Sequence, residues 1–484
     1  MSGAEGDDLP ASFAGSVAAL QARGRFGIRL GLGRTRALLA ALGNPERELR
    51  GALIGGTNGK GSVVALVGAC LAAAGYRVGE TPKPHLVTYR ERIRVAGRPI
   101  SAADFTRLVR AGLPVADRVA RRHGPPTEFE LLTALALRHF ADQDVDLAVV
   151  EVGLGGRLDA THAWDGGVAA ITNVDLDHME HLGPTVEAIA REKAAIIMPG
   201  DLAITGAAGV ALEPIRRRAG RVRAVLVEVA PAPVLAADLG GLLVELPGLG
   251  STRVGLLGRH QAANVAVADA VLDALGTAGI ARVGPDARRA GYAAARWPGR
   301  LELLRLPGAG PGGSDAEVLL DGAHNPAGAR SLAAALDELR PLLRGARGAR
   351  RARGARGARD DRGGGAAPAG TPVTLVVGMM ADKDVNGVIS ALRTSSALAG
   401  ARVVATAVDG GRALGADALA ARWRAADGEA DIRAEPDPAA AIDRAVATAD
   451  GPVVVAGSLY LVGAARARLV DDPELRDPVA ATRA

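Results

Sequence analysis

Short apolar runs alternate with longer stretches of helical character along most of the chain. The runs at 52–54, 147–150 and 168–172 are short and mostly apolar, which predicts buried strands. Residues 63–74 and 128–141 have the length and composition of helices. Strands that alternate with helices favour a mostly parallel, doubly wound sheet, because parallel strands need long crossover connections.

A second alternating series begins near residue 300. Pro298 and Gly299 interrupt the chain, and an apolar run at 318–320 starts the new series. Further strands of this series are predicted near 373–377, 402–407 and 452–456. A chain of 484 residues is also too long for a single core. We therefore predict two α/β domains, a larger one at 1–298 and a smaller C-terminal one at 299–484.

Two segments break the alternation. Residues 200–255 carry short Val-rich runs broken by Gly and Pro, which predict a smaller antiparallel patch. Residues 344–370 are rich in Arg, Gly and Ala and have no large apolar side chain, so we predict a disordered surface insert. This insert carries a net charge of +6, whereas the whole chain carries +5. The rest of the chain therefore gives no support for a basic nucleic-acid-binding face.

Composition excludes several classes of protein. The single cysteine, Cys70, excludes an intramolecular disulfide and a cysteine metal cluster. No run of 18 apolar residues occurs, and the first residues lack a basic segment followed by an apolar one. We therefore expect neither a membrane segment nor export, and the cytoplasm is the expected compartment.

A glycine-rich loop joins the first predicted strand to its helix. Backbone N–H groups and the helix N-terminus of such a loop converge on phosphate oxygens, while a lysine bridges the outer phosphates. The strict phosphate-loop pattern fails, because Ile54 occupies its first glycine position and Gly61 follows Lys60 where a hydroxyl is expected. Ser62 is then the predicted Mg²⁺ ligand, and an ordinary strand–helix connection is the alternative. The predicted nucleotide-binding residues are Gly56, Thr57, Asn58, Gly59, Lys60, Gly61 and Ser62.

Acidic side chains and a histidine follow two of the predicted strands. Glu151 comes directly after the run at 147–150, and Asp175, Asp177 and His178 follow the next strand. The carboxyl ends of strands in open α/β sheets meet at the edge where ligands bind. We therefore expect these side chains to gather at one edge, although a loop salt bridge is the plainer alternative for a single glutamate.

Several motifs resemble those of the folylpolyglutamate synthase family, which belongs to the Mur ligase superfamily. The loop Gly-Thr-Asn-Gly-Lys-Gly-Ser at 56–62 has the family's form, as do Glu-Val-Gly-Leu-Gly-Gly-Arg-Leu-Asp at 151–159 and Asp-Gly-Ala-His-Asn-Pro at 321–326. The resemblance extends from about residue 29 to residue 466. It implies a ligase that uses ATP and Mg²⁺ to join L-glutamate to dihydropteroate or a reduced folate through an acyl phosphate. It also implies a monomer, with no nucleic-acid partner.

The resemblance assigns roles to individual residues. Catalytic roles are implied for Lys60, Glu151, His178 and Lys193. Further nucleotide contacts are implied for Asn264, Arg300, Asp321 and His324. Acceptor binding is predicted for Lys83, Pro84, His85, Arg92 and Asp159. The implied Mg²⁺ ligands are Ser62, Glu151, His178 and Lys193, the last after carbamylation by CO₂.

Some residues depart from the family's pattern and leave other functions open. The family commonly has Thr-Ser-Pro-His-Leu where this chain has Thr-Pro-Lys-Pro-His-Leu at 81–86, which could alter the acceptor site. Ala195 and Met198 replace a usual glycine and lysine near Lys193, for which a helix-surface lysine is the alternative. A ligase for a different carboxylate acceptor, an ATPase that acts on nucleic acid through the insert, and a non-catalytic nucleotide-binding protein are the rival interpretations.

Overall fold

The computed structural model describes residues 9–24, 29–343, 371–408 and 412–478. The Arg-rich insert at 344–370 lies outside the described residues, so its predicted disorder stays a prediction. Within the described residues, the strands form one eight-stranded sheet, one three-stranded sheet and one six-stranded sheet. No helix in these ranges is both long enough and apolar enough to cross a membrane.

The eight-stranded sheet organises the N-terminal part of the chain. Its strands are β1 (Gly51–Gly55), β2 (Val78–Thr81), β3 (Arg94–Val95), β4 (Arg98–Pro99), β5 (Leu147–Glu151), β6 (Gly167–Ile171), β7 (Leu202–Thr205) and β8 (Val225–Glu228). Their order is β4-β3-β2-β5-β1-β6-β7-β8, in which β2, β5, β1, β6, β7 and β8 are parallel. The doubly wound, mostly parallel sheet predicted from the alternation is therefore confirmed.

Helices cover both faces of this sheet. They are α1 (Phe13–Gly24), α2 (Gly33–Ala41), α3 (Lys60–Ala73), α4 (Ala102–His123), α5 (Glu128–Asp142), α6 (Met179–Leu182), α7 (Val186–Ala194), α8 (Leu212–Val222), α9 (Gln261–Thr277) and α10 (Pro285–Ala294). Small residues let α3 and α10 pack closely, because a Cβ on Gly291 would lie 2.4 Å from the Cα of Cys70. Cys70 itself is fully buried. Because the chain has few aromatic residues, its core is filled by small side chains and closely packed backbone.

The prediction for residues 200–255 is half wrong. Strands β7 and β8, with α8 between them, continue the parallel sheet instead of starting an antiparallel patch. Only the later part forms the antiparallel three-stranded sheet, which consists of β9 (Val234–Asp238), β10 (Gly241–Leu246) and β11 (Gly250–Val254). Its first half was misjudged because short Val-rich strands read alike in parallel and antiparallel sheets.

The six-stranded sheet begins just beyond the predicted domain boundary. Its strands are β12 (Glu302–Gly310), β13 (Ser314–Leu320), β14 (Thr374–Val377), β15 (Arg402–Thr406), β16 (Asp431–Glu435) and β17 (Val453–Ala456). Their order is β12-β13-β17-β14-β15-β16, with only β12 antiparallel. The helices beside it are α11 (Pro326–Leu339), α12 (Val385–Leu392), α13 (Ala416–Ala426), α14 (Pro438–Thr448) and α15 (Leu459–Leu469). The smaller C-terminal α/β unit predicted from the sequence has this architecture.

Helix α15 packs against the loop that follows β2. A Cβ on Gly463 would lie 1.9 Å from the carbonyl oxygen of Leu86, so only glycine allows this approach. Gly299, which has a φ of +71°, lies against both Leu86 and Val462. The segment around Leu86 is thus held by the C-terminal part of the molecule as well as by its own sheet.

Replacing Gly463 with alanine is expected to separate these two elements. The added methyl meets backbone, which cannot rotate away, so we expect a loss of about 1–3 kcal/mol in the free energy of unfolding. The matched control is Gly276→Ala in α9, where the nearest atom to the new Cβ lies 3.7 Å away. There we expect a gain of up to about 1 kcal/mol from helix propensity. Urea denaturation of both variants checks this; equal stability of the two would contradict it.

Candidate active site

A cavity of about 340 Å³ lies where the eight-stranded and six-stranded sheets face each other. Of the predicted site residues, it is lined by Gly56, Thr57, Asn58, Gly59, Lys60, Gly61, Ser62, Lys83, Pro84, Arg92, Glu151, His178, Lys193, Asn264, Arg300, Asp321 and His324. The ends of β1, β5 and β13 all reach it. The structure therefore brings together motifs that are up to about 270 positions apart in the chain.

The glycine-rich loop between β1 and α3 forms one wall. The Lys60 ammonium folds back and donates to the carbonyl oxygens of Gly56 (3.1 Å) and Thr57 (3.0 Å). The end of β6 supports the loop, because Thr172 Oγ1 donates to the Asn58 carbonyl (2.6 Å). A Cβ on Gly56, whose φ is +140°, would lie 1.9 Å from that hydroxyl oxygen. The loop has the shape of a phosphate cradle at the start of a helix.

Two lysines share the first carbonyl of this loop. Lys193, near the end of α7, donates from Nζ to the Gly56 oxygen at 2.8 Å. Burial and, to a smaller extent, the charge of the neighbouring Lys60 lower the pKa of Lys193 to about 7. Burial also lowers the pKa of Lys60, although Glu151 opposes that shift. Such a concentration of positive charge favours a polyanionic ligand, which would raise both pKa values again.

Glu151 ends β5 beside this cationic wall. The carboxylate is 3% exposed, and its Oε2 accepts a hydrogen bond from the backbone N–H of Lys83 (2.9 Å). Burial raises the pKa of Glu151, and Lys60 opposes that shift. Ser62, in the first turn of α3, is 4% exposed and lines the same cavity. Carboxylate and hydroxyl oxygens are ligands that a magnesium ion prefers, so these two side chains are the candidates to hold one.

Residues of the C-terminal part reach across the cavity to the loop. Asn325 Nδ2 donates to Asn58 Oδ1 (3.2 Å) and to Asp177 Oδ2 (3.1 Å). Lys383 Nζ lies 3.2 Å from Asp177 Oδ1 and 3.5 Å from His178 Nε2. Burial would raise the pKa of Asp177, but Lys383 and His178 outweigh it and hold the pKa at about 2. His178 therefore faces an ammonium group here, and burial lowers its pKa.

Asp321 and His324, which follow β13, also line the cavity. Asp321 accepts backbone N–H bonds at both oxygens, from Leu301 (2.9 Å) and Ala323 (2.9 Å). Burial raises its pKa, which the guanidinium of Arg300 opposes. His324 Nδ1 lies 2.8 Å from the Gly322 carbonyl oxygen, and burial lowers its pKa to about 4. Asp321 thus orders its own loop.

Two predicted site residues do not line this cavity. Asp159 accepts from the Leu154 N–H (2.7 Å) and from the Thr161 hydroxyl (2.6 Å), so its carboxylate fixes the loop after β5. It lines a second cavity of about 270 Å³ next to the first. His85 is held by Arg92, whose Nε donates to its Nδ1 at 2.8 Å. His85 therefore positions Arg92, which does reach the main cavity.

Replacing His85 with glutamine is expected to reduce the acid sensitivity of the fold. Burial and, to a smaller extent, the charge of Arg92 lower the pKa of His85 from 6.5 to about 3. Between these values the unfolded chain binds a proton at this position and the folded protein does not, so stability falls as the pH decreases through that range. At pH 5 this amounts to about 2 kcal/mol relative to neutral pH.

The measurement is urea denaturation at pH 7.5 and pH 5 for the wild type and the variant. We expect His85→Gln to lose less stability between the two values, by about 2 kcal/mol. His123→Gln, at the exposed end of α4, is the control and should keep the wild-type dependence. Identical losses in the wild type and His85→Gln would contradict the account.

Sequence reasoning missed several residues of the site. Phe129, His260 and Leu459 line the cavity. Lys383 and Asn325 bind Asp177, which the sequence placed among the acidic side chains without a partner. The segment Gly-Met-Met-Ala-Asp-Lys-Asp at 378–384 resembles the family's sequence and was the available signal. Asn264 was predicted, and its Oδ1 packs where a Cβ of Gly59 would lie, so it fits the loop closely.

Comparison with known sequences finds relatives that are ligases of one family. Residues 54–205 match the family model of the Mur ligase middle domain. A dihydrofolate synthase/folylpolyglutamate synthase of Bacillus subtilis is 38% identical over 66% of this chain and 75% of its own length. The protein of the same name from Mycobacterium tuberculosis is 34% identical over 92% of this chain and 91% of its own length.

Solved structures agree with the sequence matches over nearly the whole chain. Folylpolyglutamate synthase of Mycobacterium tuberculosis, complexed with ADP, has a TM-score of 0.79 at 32% identity, covering 95% of this chain and 100% of its own. Folylpolyglutamate synthase of Thermotoga maritima has a TM-score of 0.75 at 30% identity, covering 96% and 99%. The chain therefore belongs to the dihydrofolate synthase/folylpolyglutamate synthase family of C–N bond-forming ligases.

Proposed function

We propose that this enzyme uses ATP to join L-glutamate to dihydropteroate, to a reduced folate, or to both, and releases ADP and phosphate. The observation that carries the proposal is the cavity itself, in which Asn325, from the loop after β13, contacts Asn58 of the glycine-rich loop. A reaction through a carboxylic–phosphoric anhydride needs a site enclosed from both sides, because water would otherwise destroy the intermediate.

The first step activates the acceptor. A carboxylate oxygen of the acceptor attacks the γ-phosphorus of ATP, the bond from that phosphorus to the β–γ bridging oxygen breaks, and ADP leaves with the electron pair. Lys60 lies in the loop that would cradle the outer phosphates, and Arg300 lies across the cavity from it. Both cations keep their protons and stabilise the charge that develops on the transferred group.

Magnesium is the metal that the residues present would fit. Ser62 and Glu151 offer oxygen ligands beside the loop, and among the described residues no three histidine, cysteine or acidic side chains form a metal cluster. Mg²⁺ is usually held by one or two protein oxygens together with phosphate oxygens and water. When bound, it would offset the charge repulsion between the carboxylate and ATP.

Lys193 is the proposed site of a further anionic ligand. Its amine is buried against Gly56, with a pKa of about 7. A neutral fraction of that amine is available at neutral pH to react with CO₂, which forms an N–C bond and releases a proton. The product, a carbamate, would carry oxygen atoms and a negative charge in place of an ammonium, as the resemblance of this segment to the family implies.

The second step forms the amide. The neutral amine of glutamate attacks the acyl carbon, the bond from that carbon to the phosphate oxygen breaks, and the nitrogen loses a proton to the departing phosphate or to water. Positioning supplies much of the acceleration in such a step. The contacts of Asn325 and Lys383 with Asp177 hold the two sides of the cavity together while the anhydride exists.

The second cavity is the proposed place for the ring system of the acceptor. It shares Phe129, Gly153 and Leu154 with the main cavity, and Leu30 and Leu158 add apolar surface. An aromatic acceptor lying there would direct its carboxylate past Phe129 towards the phosphate-binding loop. Flat apolar ligands favour such a pocket, in which a few polar groups fix the orientation.

The proposed function is tested by phosphate release from the purified protein with MgATP and glutamate, with dihydropteroate or tetrahydrofolate added or omitted. We expect release to depend on one acceptor or both, and mass spectrometry to find a product heavier by one glutamyl residue. Phosphate release that depends on a different carboxylic acid would assign the enzyme a different acceptor, with the altered segment at 81–86 as the explanation. ATP hydrolysis stimulated by RNA or DNA without any product would overturn the ligase.

A further inference from the structure

Lys83 is an unusual side chain at the border between the two cavities. It takes the place of serine in the family's Thr-Ser-Pro-His-Leu motif, counting back from the Pro-His-Leu that both share. Its backbone N–H donates to Glu151 Oε2 (2.9 Å), and its Nζ donates to the Glu151 carbonyl oxygen (2.7 Å). The backbone and the ammonium group of Lys83 are therefore both held by Glu151, the last residue of β5.

The ammonium group of Lys83 lacks a counter-ion in the part of the chain that the structure describes. No carboxylate there forms an ion pair with it; its contacts are one carbonyl oxygen and the ring of Phe129, whose centroid lies 4.8 Å from Nζ. Burial lowers its pKa to about 8, and the charges of Asp159 and Glu151 oppose that shift. A partly buried cation with two donors left over is suited to bind an anion.

The other cationic side chains of the main cavity contact groups other than Phe129. Lys60 and Lys193 both lie on the Gly56 carbonyl, at the phosphate-binding loop. Arg300 lies beside Asp321, on the side of the six-stranded sheet. Arg92 is held by His85 and forms an ion pair with Glu128 (3.7 Å). Lys83 instead lies over Phe129, which lines both cavities. It is therefore placed between the proposed ring pocket and the phosphates.

We infer that Lys83 binds the carboxylate of the acceptor and holds it for attack on the γ-phosphorus of ATP. The inference rests on the proposed function and adds the residue that recognises the reacting group of the substrate. The ammonium donates to one carboxylate oxygen and keeps all its protons, while the other oxygen forms the bond to phosphorus. After that transfer the same ammonium stays on the carbonyl oxygen and stabilises the negative charge that develops when glutamate attacks.

Steady-state kinetics of Lys83→Met test the inference. Loss of a charge-assisted contact predicts an acceptor KM about 10–100-fold higher, with a lower kcat. The KM values for ATP and glutamate should stay within about threefold of the wild type. Arg305→Met, which removes an exposed cation on β12, is the charge-matched control and should leave all three KM values unchanged.

A second measurement separates carboxylate recognition from a structural role. Pteroate and its carboxamide differ only in the group that Lys83 would bind, so their inhibition constants are compared in the wild type and in Lys83→Met. We expect the wild type to prefer the carboxylate at least about tenfold and the variant to lose that preference, with the carboxamide binding equally to both. An unchanged ratio in the variant would overturn the inference.

Rebuilding the amine keeps the test decisive if Lys83→Met folds poorly. The natural Cys70 is fully buried, so a Lys83→Cys variant offers one accessible thiol. Alkylation with 2-bromoethylamine restores a primary amine there and should restore the acceptor KM, whereas iodoacetamide adds a neutral group and should not. Equal activity after both reagents would contradict the inference.

A wild type that makes no product would overturn the proposed function itself. An active wild type with an unchanged acceptor KM in every Lys83 variant would overturn this inference alone.

Discussion

Replacing Lys60 with methionine is expected to lower the rate of ligation by about 10²–10³-fold, which is the usual loss when one preorganised donor to a transition-state charge is removed. The ammonium is fixed on the carbonyl oxygens of Gly56 and Thr57, at the start of α3. From there it can contact the γ-phosphoryl group while negative charge develops on ADP. We expect kcat to fall and the KM for ATP to rise, as measured by phosphate release with saturating acceptor.

Stability measurements distinguish this loss from misfolding. Burial lowers the pKa of Lys60, which means that the fold tolerates the charge at a cost. The methionine variant should therefore unfold at a temperature equal to or above that of the wild type. Activity within about fivefold of the wild type, in a folded Lys60→Met protein, would show that the loop does not serve the reaction.

The second large effect is expected for Glu151→Gln. The amide keeps the shape of the side chain and can still accept the N–H of Lys83, but it removes the negative charge that faces Lys60. A neutral ligand binds Mg²⁺ more weakly than a carboxylate does. We expect kcat to fall about 10²-fold and the Mg²⁺ concentration for half-maximal activity to rise, as measured by a metal titration at fixed ATP.

The matched control is Glu80→Gln. Glu80 is also a buried carboxylate, 8% exposed, on the neighbouring strand β2, but it lines a different cavity. Burial raises its pKa as it does that of Glu151, so both variants remove a comparable buried acid. Glu80→Gln should keep the wild-type dependence on Mg²⁺. A similar shift in both variants would point to a general effect of buried charge and against a metal ligand at Glu151.

Local patterns allowed much of the fold to be predicted. The strand, loop and helix at 51–73 are contiguous in sequence, so apolar runs and glycines predicted β1, the loop and α3 together. The same holds for β5 and for the position of Glu151 at its end. The parallel topology followed from the alternation, since only crossover connections join such strands. What a short strand pairs with is not local, which is why 202–228 was misjudged.

The site was predicted where motifs lie at strand ends and missed where partners come from elsewhere. Lys383 lies 205 positions from His178, so no spacing in the sequence indicated their contact. His85 and Asp159 belong to recognisable motifs, yet their side chains hold Arg92 and a loop instead of lining the main cavity. A motif identifies which residues are near a site, but hydrogen bonds decide which side chains point into it.

The most direct test of the central claim uses an acceptor labelled with ¹⁸O in its carboxylate. If the acceptor oxygen attacks the γ-phosphorus and phosphate later leaves from the acyl carbon, one labelled oxygen must pass into the released phosphate. The account predicts phosphate carrying one ¹⁸O for each glutamate added, and an amide product that keeps the other. Unlabelled phosphate released together with an amide product would contradict ligation through an acyl phosphate, because the oxygen lost from the acceptor would then have left in another group.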